Sequence, residues 1–255
     1  HQFTSILAIA DGIAEDYLKY GFLPTQVHMQ MNAIDTDLFK PVSDTAARDE
    51  IRRSFNLPVD AQILLFTGSL IHRKGVDLLI EAFIEAAQKD PNLFLWLVGP
   101  KDRSENPSMD EVFVTSLKQK IAEADLADRV ILHRMIADRK RLAEAYQAAD
   151  VFVFPSRKEG LPNVVLEAMA CGMPVIVSDL PGLKSVIKPE YNGVVVPIGE
   201  IEELEQAIEK LVVDRNYALK LGCHACAYIA TLHGFGTWQN EMVLYFQKLV
   251  RQHLL

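Results

Sequence analysis

Two features of this sequence predict an α/β fold built on a doubly wound parallel sheet. Between residues 62 and 213, short apolar runs alternate with segments of helical period. The runs are continuously apolar instead of alternating with polar residues, which suits strands covered by helices on both faces. The composition, 49% hydrophobic and 24% charged over 255 residues, supplies apolar material for one large core or two smaller ones.

In chain order the expected strands are "QILLFTG" (62 to 68), "LFLWLVG" (93 to 99), "RVILH" (129 to 133), "VFVFPS" (151 to 156), "PVIVSD" (174 to 179) and "GVVVP" (193 to 197). Helices are expected near 75 to 88, 109 to 124 and 139 to 148, after Pro162, briefly near 182 to 187, and over 200 to 213. The polar stretch "GPKDRSENPSMD" reads as a surface excursion near the site.

Ahead of this alternation, "SILAIADGIAEDYLKYGF" gives a strand and a helix closed by Gly21, and "VHMQMNAIDTDLFKP" follows with Pro41 marking a hinge. Residues 1 to 40 therefore read as the end of a separate α/β domain, and residues 41 to 234 as the main one. The chain opens on His1 and enters an apolar run almost at once, so a piece of something longer is expected. Beyond about residue 214 the pattern is helical, punctuated by Gly222, Gly234 and Gly236. A last helix from Thr237 to about His253, within a terminal segment 235 to 255, carries Trp238, Met242, Tyr245, Phe246 and Leu249 as a packing face. No internal repeat or low-complexity segment is evident.

A formal net charge of -8 argues against binding nucleic acid or anionic lipid through overall charge, although a local basic loop could hold phosphate. A small-molecule partner is expected. Three cysteines, Cys171, Cys223 and Cys226, are too few for a disulfide framework and favour a reducing compartment, the cytoplasm by default. "CHAC" at 223 to 226 has redox or half-zinc spacing, but no second pair accompanies it, and buried helix cysteines are expected. No apolar run approaches the roughly 20 residues of a membrane span, while peripheral membrane contact stays open.

The segment "EGLPNVVLEAMACGMPVIVSD" (159 to 179) follows a strand, at the sheet end where open parallel sheets bind ligands. With Pro162 at the first helical position, the N–H groups of Asn163, Val164 and Val165 are expected to lack intrahelical partners and to suit an anion. Glu167 lies about 7.5 Å further along at roughly 1.5 Å per residue. A diphosphate at the helix tip would then set a ribose near Glu167 and the group on the outer phosphate near Glu159. On spacing alone, the two glutamates also fit a capping residue and a solvated helix face. A second element, "FTGSLIHRKGVDLLIEAF" (66 to 83), places Gly68, His72, Arg73 and Lys74 before another helix at the same sheet end. It is either a phosphate-binding loop or a solvated basic turn, and it matches neither a P-loop nor G-x-G-x-x-G.

Taken together and in order, these motifs resemble the retaining family 4 glycosyltransferases of GT-B fold, two facing Rossmann-like domains of which the second holds a nucleotide-sugar donor. "MNAIDTDLF" is similar to the family's hinge N-G-V-D-x-x-x-F, and "TGSLIHRKG" to its G-R-L-x-x-x-K-G loop. "AYQAADVFVFPSRKEGLPNVVLEAMACGMPVIVSD" resembles its A-D-x-x-x-x-P-S…E-G…L-E-A-M-A-x-G-x-P-V segment, and "NGVVVP" its N-G-x-x-V-P. The resemblance implies that residues 1 to 40 are the tail of the acceptor-side domain with the hinge, that 41 to 234 bind the donor, and that 235 to 255 return to cover the first domain.

It further implies catalytic roles for Glu159, on the transferred sugar, and Lys74, on the diphosphate. Donor contacts would come from Gly68, Ser69, Arg73, Lys74, Glu159, Gly160, Leu161, Asn163, Val164 and Glu167, with Arg134 or Met135 at the nucleobase. The implied reaction moves a hexose from a nucleotide diphosphate sugar to a saccharide or lipid-linked acceptor with retention. It needs no cofactor and no metal cluster.

Four positions depart from the pattern: Ser69 stands for an arginine, Ala33 for a glycine, Pro181 for a glycine and Ser185 for a glutamate. About the first 150 to 200 residues of a usual member have no counterpart here, and without them this chain is expected not to complete catalysis. Two other readings remain, a non-catalytic nucleotide-binding module and a sugar-nucleotide epimerase. Transfer to an acceptor separates the first, and turnover without an acceptor the second.

Overall fold

The computed structural model describes residues 5–100, 104–107 and 109–253, so part of the polar stretch after Gly99 lies outside the described residues. The chain opens with β1 (Ile6–Ala8), α1 (Asp11–Lys19) and β2 (Val27–Met29), and the two strands pair in parallel from Ile6↔Val27 to Ala8↔Met29. Then come α2 (Thr45–Ser54), β3 (Gln62–Thr67), α3 (Val76–Lys89), β4 (Leu93–Val98), α4 (Glu111–Glu123), β5 (Val130–His133), α5 (Arg139–Ala148) and β6 (Val151–Phe154). The remainder is α6 (Asn163–Ala170), β7 (Val175–Ser178), β8 (Val194–Val196), α7 (Ile201–Val213), α8 (Arg215–Leu232) and α9 (Phe235–His253).

Strands β3 to β8 form one parallel sheet in the order β5-β4-β3-β6-β7-β8. This is the doubly wound order in which the winding reverses between the first strand and the fourth, here β3 and β6. Every residue of β3 and β6 is buried, as a sheet covered on both faces requires. Aspartates start four of the surrounding helices by accepting backbone N–H groups: Asp44 from Ala47, Asp110 from Val112 and Phe113, Asp138 from Arg141, and Asp214 from Tyr217.

Helix α2 has no counterpart among the expected elements. Its buried residue is Arg52, not an apolar one, so hydrophobic periodicity could not reveal it. The guanidinium meets Asp150 at 2.7 Å and donates to the carbonyls of Ala148, Val59 and Ala61 at 2.8, 2.6 and 2.9 Å. These bonds clamp α2 to the chain entering β6.

The short helix expected near 182 to 187 is instead a single 3₁₀ turn, Pro181–Leu183. Asn192 explains its brevity: its side chain accepts from the Lys188 N–H at 2.7 Å and donates to the Val186 carbonyl at 3.0 Å, taking backbone groups that a longer helix would use. Gly222 does not punctuate the chain but lies inside α8, packed on the Gly172 carbonyl. Helix α9 begins at Phe235, two residues earlier than expected, with Gly236 in its first turn. It lies against the β1–β2 pair through a 2.6 Å Tyr245–Ser5 hydroxyl contact, the Tyr245 ring edge-on to His28, and Gln30 donating to Glu241 at 3.2 Å. Val243, Leu244, Phe246 and Val250 stay exposed on it.

His233, where α8 ends, is buried, with Nε2 unpartnered and Nδ1 3.2 Å from the Asn32 carbonyl. Burial holds its pKa below the ordinary 6.5, although the Asn32 carbonyl and Glu241 oppose the shift. The unfolded chain therefore binds a proton that the folded chain refuses, and folding stability declines as pH falls below about 6.5, by at most about 1.4 kcal/mol per pH unit from this group. Urea titrations at pH 7.5 and 5.5 check this: His233→Gln should flatten the difference, and an unchanged difference would place its origin elsewhere.

Candidate functional site

The carboxyl ends of β3 and β6 open into two loops that face each other across the switch point. The loop after β3 closes in a 3₁₀ turn, His72–Lys74, capped by Gly75 at φ 69°. A side chain at Gly75 would be strained by that angle, and its Cβ would fall 1.9 Å from the Pro155 carbonyl oxygen in the opposite loop. Glycine is what lets the loops touch. The Arg157 N–H donates to the Arg73 carbonyl at 2.9 Å, and Ser156 Oγ lies 3.0 Å from the same oxygen, which completes the junction.

The joined loops put two cations on one carboxylate. Glu159 Oε1 lies 2.7 Å from Arg73 Nη1 and 2.8 Å from Lys74 Nζ, and accepts from the Ser156 hydroxyl at 2.9 Å. Arg73 also donates to the Lys158 carbonyl at 2.8 Å, and Lys74 Nζ stands 5.0 Å over the centre of the Phe154 ring. Behind them Arg157 holds Asp77 through bonds of 2.8 and 2.7 Å, which fixes the first turn of α3 against the loop. A cleft of about 730 Å³ opens in front of Arg73, Glu159 and Gly160, and α1 supplies Gly12, Ile13 and Asp16 to its other wall. Across it the Gly160 carbonyl touches Gly182, whose Cβ, if present, would lie 1.7 Å away. The loop after β7 thus presses directly on the Glu159–Gly160 turn.

Pro162 stands just before α6 in extended conformation and not at its first position, so the helix starts one residue later than expected. The Val165 N–H bonds back to the Pro162 carbonyl at 3.1 Å. The N–H groups of Asn163 and Val164 alone remain for an anion, one fewer than expected. The Asn32 amide donates to Asn163 Oδ1 at 2.6 Å and reaches the Leu161 carbonyl at 3.5 Å, tying that helix start to the segment after β2. Leu161 is itself buried.

Glu167 is buried within α6 and accepts from the Tyr146 hydroxyl at 3.0 Å. Burial pushes its pKa up, while the Tyr146 bond and the charge of Arg139 pull it back. Burial also raises the neighbouring Cys171 thiol. Of the other two cysteines, both on α8, Cys223 is exposed and Cys226 half-buried, so the expectation of two buried helix cysteines fails at Cys223.

The structure brings Arg73, Lys74, Glu159 and Gly160 together and sets Glu167 behind the start of α6. Gly68 follows β3 beside Lys74, a Cβ there being 4.0 Å from Lys74 Cε. Ser69 turns to the segment after β4, where its hydroxyl accepts from Asn106 at 3.2 Å. Arg134 and Met135 follow β5 at the edge of the sheet. Arg134 pairs with Glu105 at 3.1 Å and Met135 is exposed; of the predicted residues, Arg73, Glu159 and Gly160 line the cleft, while Gly68, Ser69, Lys74, Leu161, Asn163, Val164, Glu167, Arg134 and Met135 do not. Sequence reasoning missed Ser156 and Tyr146, although both lie inside the quoted motif. Their signal was adjacency, a hydroxyl three residues before Glu159 and a tyrosine one strand ahead of it. Among the described residues, no three His, Cys, Asp or Glu side chains gather as a metal site, and no helix is long and apolar enough to cross a membrane.

Fold and site together define a Rossmann-like α/β domain with a cationic crevice at its switch point. Residues 47–225 match the family described as "Glycosyl transferases group 1", and the chain belongs to that family. It is 35% identical over 186 residues to the D-inositol 3-phosphate glycosyltransferase of Xylanimonas cellulosilytica, covering 72% of this chain and 42% of that protein. It is 35% identical over 174 residues to the mannosylfructose-phosphate synthase of Agrobacterium fabrum, covering 68% of this chain and 36% of that protein. Among solved structures it is similar to sucrose-phosphate synthase from Thermosynechococcus elongatus, with a TM-score of 0.81 and 30% identity over 97% of this chain and 59% of that one. The parallel sheet flanked by helices is the fold of such GT-B glycosyltransferases. The chain spans about half the length of the curated relatives it matches, or less.

Proposed function

We propose that this chain is the donor-binding half of a retaining family 4 glycosyltransferase that moves a hexose from a nucleotide diphosphate sugar to a saccharide or lipid-linked acceptor in the cytoplasm. The observation that carries the reading is the convergence of Arg73 and Lys74 on Glu159, at 2.7 and 2.8 Å, in front of a helix start with open N–H groups. Residues 1 to 40 are then the tail of the acceptor-side domain with the hinge, 41 to 234 the donor-binding domain, and 235 to 255 the helix that returns. Contact with a membrane would be made through the other half.

When a donor enters, its diphosphate competes with Glu159 for the two cations. Lys74 and Arg73 turn to the phosphate oxygens, the amides of Asn163 and Val164 take the rest of that charge, and Glu159 is released to accept from hydroxyls of the transferred sugar. Cations aimed at the leaving diphosphate stabilise the charge that develops as the glycosidic bond breaks, and the donor phosphate receives the acceptor's proton. Glu167 accepts from the ribose. Arg73 supports catalysis over a degenerate binding module, because its guanidinium stands beside Lys74 and supplies the second cation that Ser69 does not. The names of the relatives described above each carry a phosphorylated inositol or sugar, which favours a small phosphorylated saccharide or polyol as acceptor.

The test is transfer by the protein in which this chain occurs, with UDP-glucose, UDP-N-acetylglucosamine and GDP-mannose as donors and inositol phosphate or fructose 6-phosphate as acceptors. Product formation with retained anomeric configuration is expected, together with its loss in Glu159→Ala while nucleotide binding persists. Intact nucleotide binding with no transfer to any acceptor would favour the binding module.

A further inference from the structure

Tyr146 is fully buried at the end of α5, yet its hydroxyl reaches the one carboxylate that the proposed donor site needs inside α6. That hydroxyl has two partners. It donates to Glu167 Oε2 at 3.0 Å and lies 3.0 Å from Thr67 Oγ1, the last residue of β3. Since the phenol has one proton and gives it to the carboxylate, the Thr67 hydroxyl donates to the phenol oxygen. A relay thus runs from the strand end at the switch point, through α5, into α6.

The ring cannot move to another partner. It is wedged edge-on between Phe39 of the hinge segment, 6.1 Å between centres, and Phe152 of β6, 5.7 Å between centres. Arg139 Cζ stands 5.3 Å from the centre of the Phe39 ring. A buried carboxylate with one fixed donor has one oxygen committed and the other available, in a single orientation.

We infer that Tyr146 is a positioning residue, which holds Glu167 with Oε2 engaged so that Oε1 faces the ribose hydroxyls of the donor. This rests on the proposed role of Glu167, and the tyrosine would act only through it. The groups facing Glu167 are Tyr146 and Arg139 from α5 and Cys171 at the end of its own helix. Of these, Tyr146 is the hydrogen-bond donor that favours the ionised carboxylate. Without it, Glu167 takes up a proton at higher pH and the acid limb of nucleotide binding moves upward.

The experiment is calorimetric titration of the chain and of Tyr146→Phe, Thr67→Val and Glu167→Ala with UDP, GDP and ADP and with the 2′,3′-dideoxy form of each, between pH 5 and 8. The unaltered chain should prefer the ribonucleotide, and Glu167→Ala should abolish that preference. Tyr146→Phe should lower it by about 3- to 10-fold and shift the acid limb to higher pH, with a smaller change of the same sign in Thr67→Val. A merely structural tyrosine would lower thermal stability and weaken both forms of nucleotide equally, leaving the preference and the pH profile in place, and that result overturns the assignment. Equal binding of both forms by the unaltered chain overturns it too, but there Glu167→Ala is also silent, and the failure lies in the ribose role itself. If Tyr146→Phe does not fold, Thr67→Val alone decides: an unchanged preference and pH profile count against the relay.

Discussion

Asp150→Ala should lower the unfolding free energy by about 3–5 kcal/mol, the cost of breaking an ion pair around a buried charge. Its carboxylate accepts from two elements at once. Oδ1 lies 2.6 Å from Arg48 of α2, and Oδ2 lies 2.7 Å both from Arg52 of the same helix and from the Ile63 N–H, the second residue of β3. Arg52 is 3% exposed and its pKa is lowered by burial, against the pull of Asp150. Truncating the aspartate strands a buried guanidinium whose remaining partners are the carbonyls of Ala148, Val59 and Ala61. The mechanism predicts its own rescue, since Asp150→Ala with Arg52→Met removes the uncompensated charge and should recover part of the loss. Urea titration of the two variants checks both statements, and a double variant no more stable than Asp150→Ala would show that the lost bond to Ile63 dominates.

Lys74→Ala should weaken nucleoside diphosphate binding by roughly 10- to 100-fold, the value of one charge-assisted phosphate contact in a sheltered site. Lys74 is better placed for this than Arg73: its side chain is 16% exposed against 48%, and it rests over Phe154 instead of reaching from the surface. Arg73→Ala should therefore cost less, and both losses should shrink at high salt, more so for the exposed residue. The measurement is titration of each variant with UDP, GDP and ADP at 50 mM and 500 mM salt. Equal affinity for Lys74→Ala and the unaltered chain would remove the lysine from the phosphate site.

The sheet was legible because its six strands are built on apolar runs, with polar residues only at strand ends such as Gln62, Thr67, His133 and Ser178, and the helices between them keep a clear period. Residue types invited the loops after β3 and β6, and the fold brings those loops together. What escaped the sequence has physical reasons. Helix α2 buries an arginine, and the turn after β7 is cut short by Asn192, whose side chain takes backbone groups at Lys188 and Val186, a contact that apolar periodicity does not record. Asp150, inside the quoted "AAD" stretch, carried no assignment from the sequence, and its bonds to Arg48, Arg52 and Ile63 make it a structural clamp. Tyr146 escaped because a tyrosine on an apolar helix face reads as core, and only the sheet order sets its hydroxyl against Glu167. Arg134 and Met135 were singled out for following a strand, and that strand, β5, is the edge one of the sheet.

The central claim is that the start of α6 reads a nucleoside diphosphate, with Lys74 at the phosphates and Glu167 at the ribose. Calorimetric titration of the 255-residue chain with UDP, GDP and ADP, alongside Glu167→Ala, tests it most directly. The account predicts that one of the three binds and that the substitution weakens it by roughly 10- to 100-fold, one or two steps of 1.4 kcal/mol. A folded chain that binds none of them, or binds one equally well without Glu167, would contradict it.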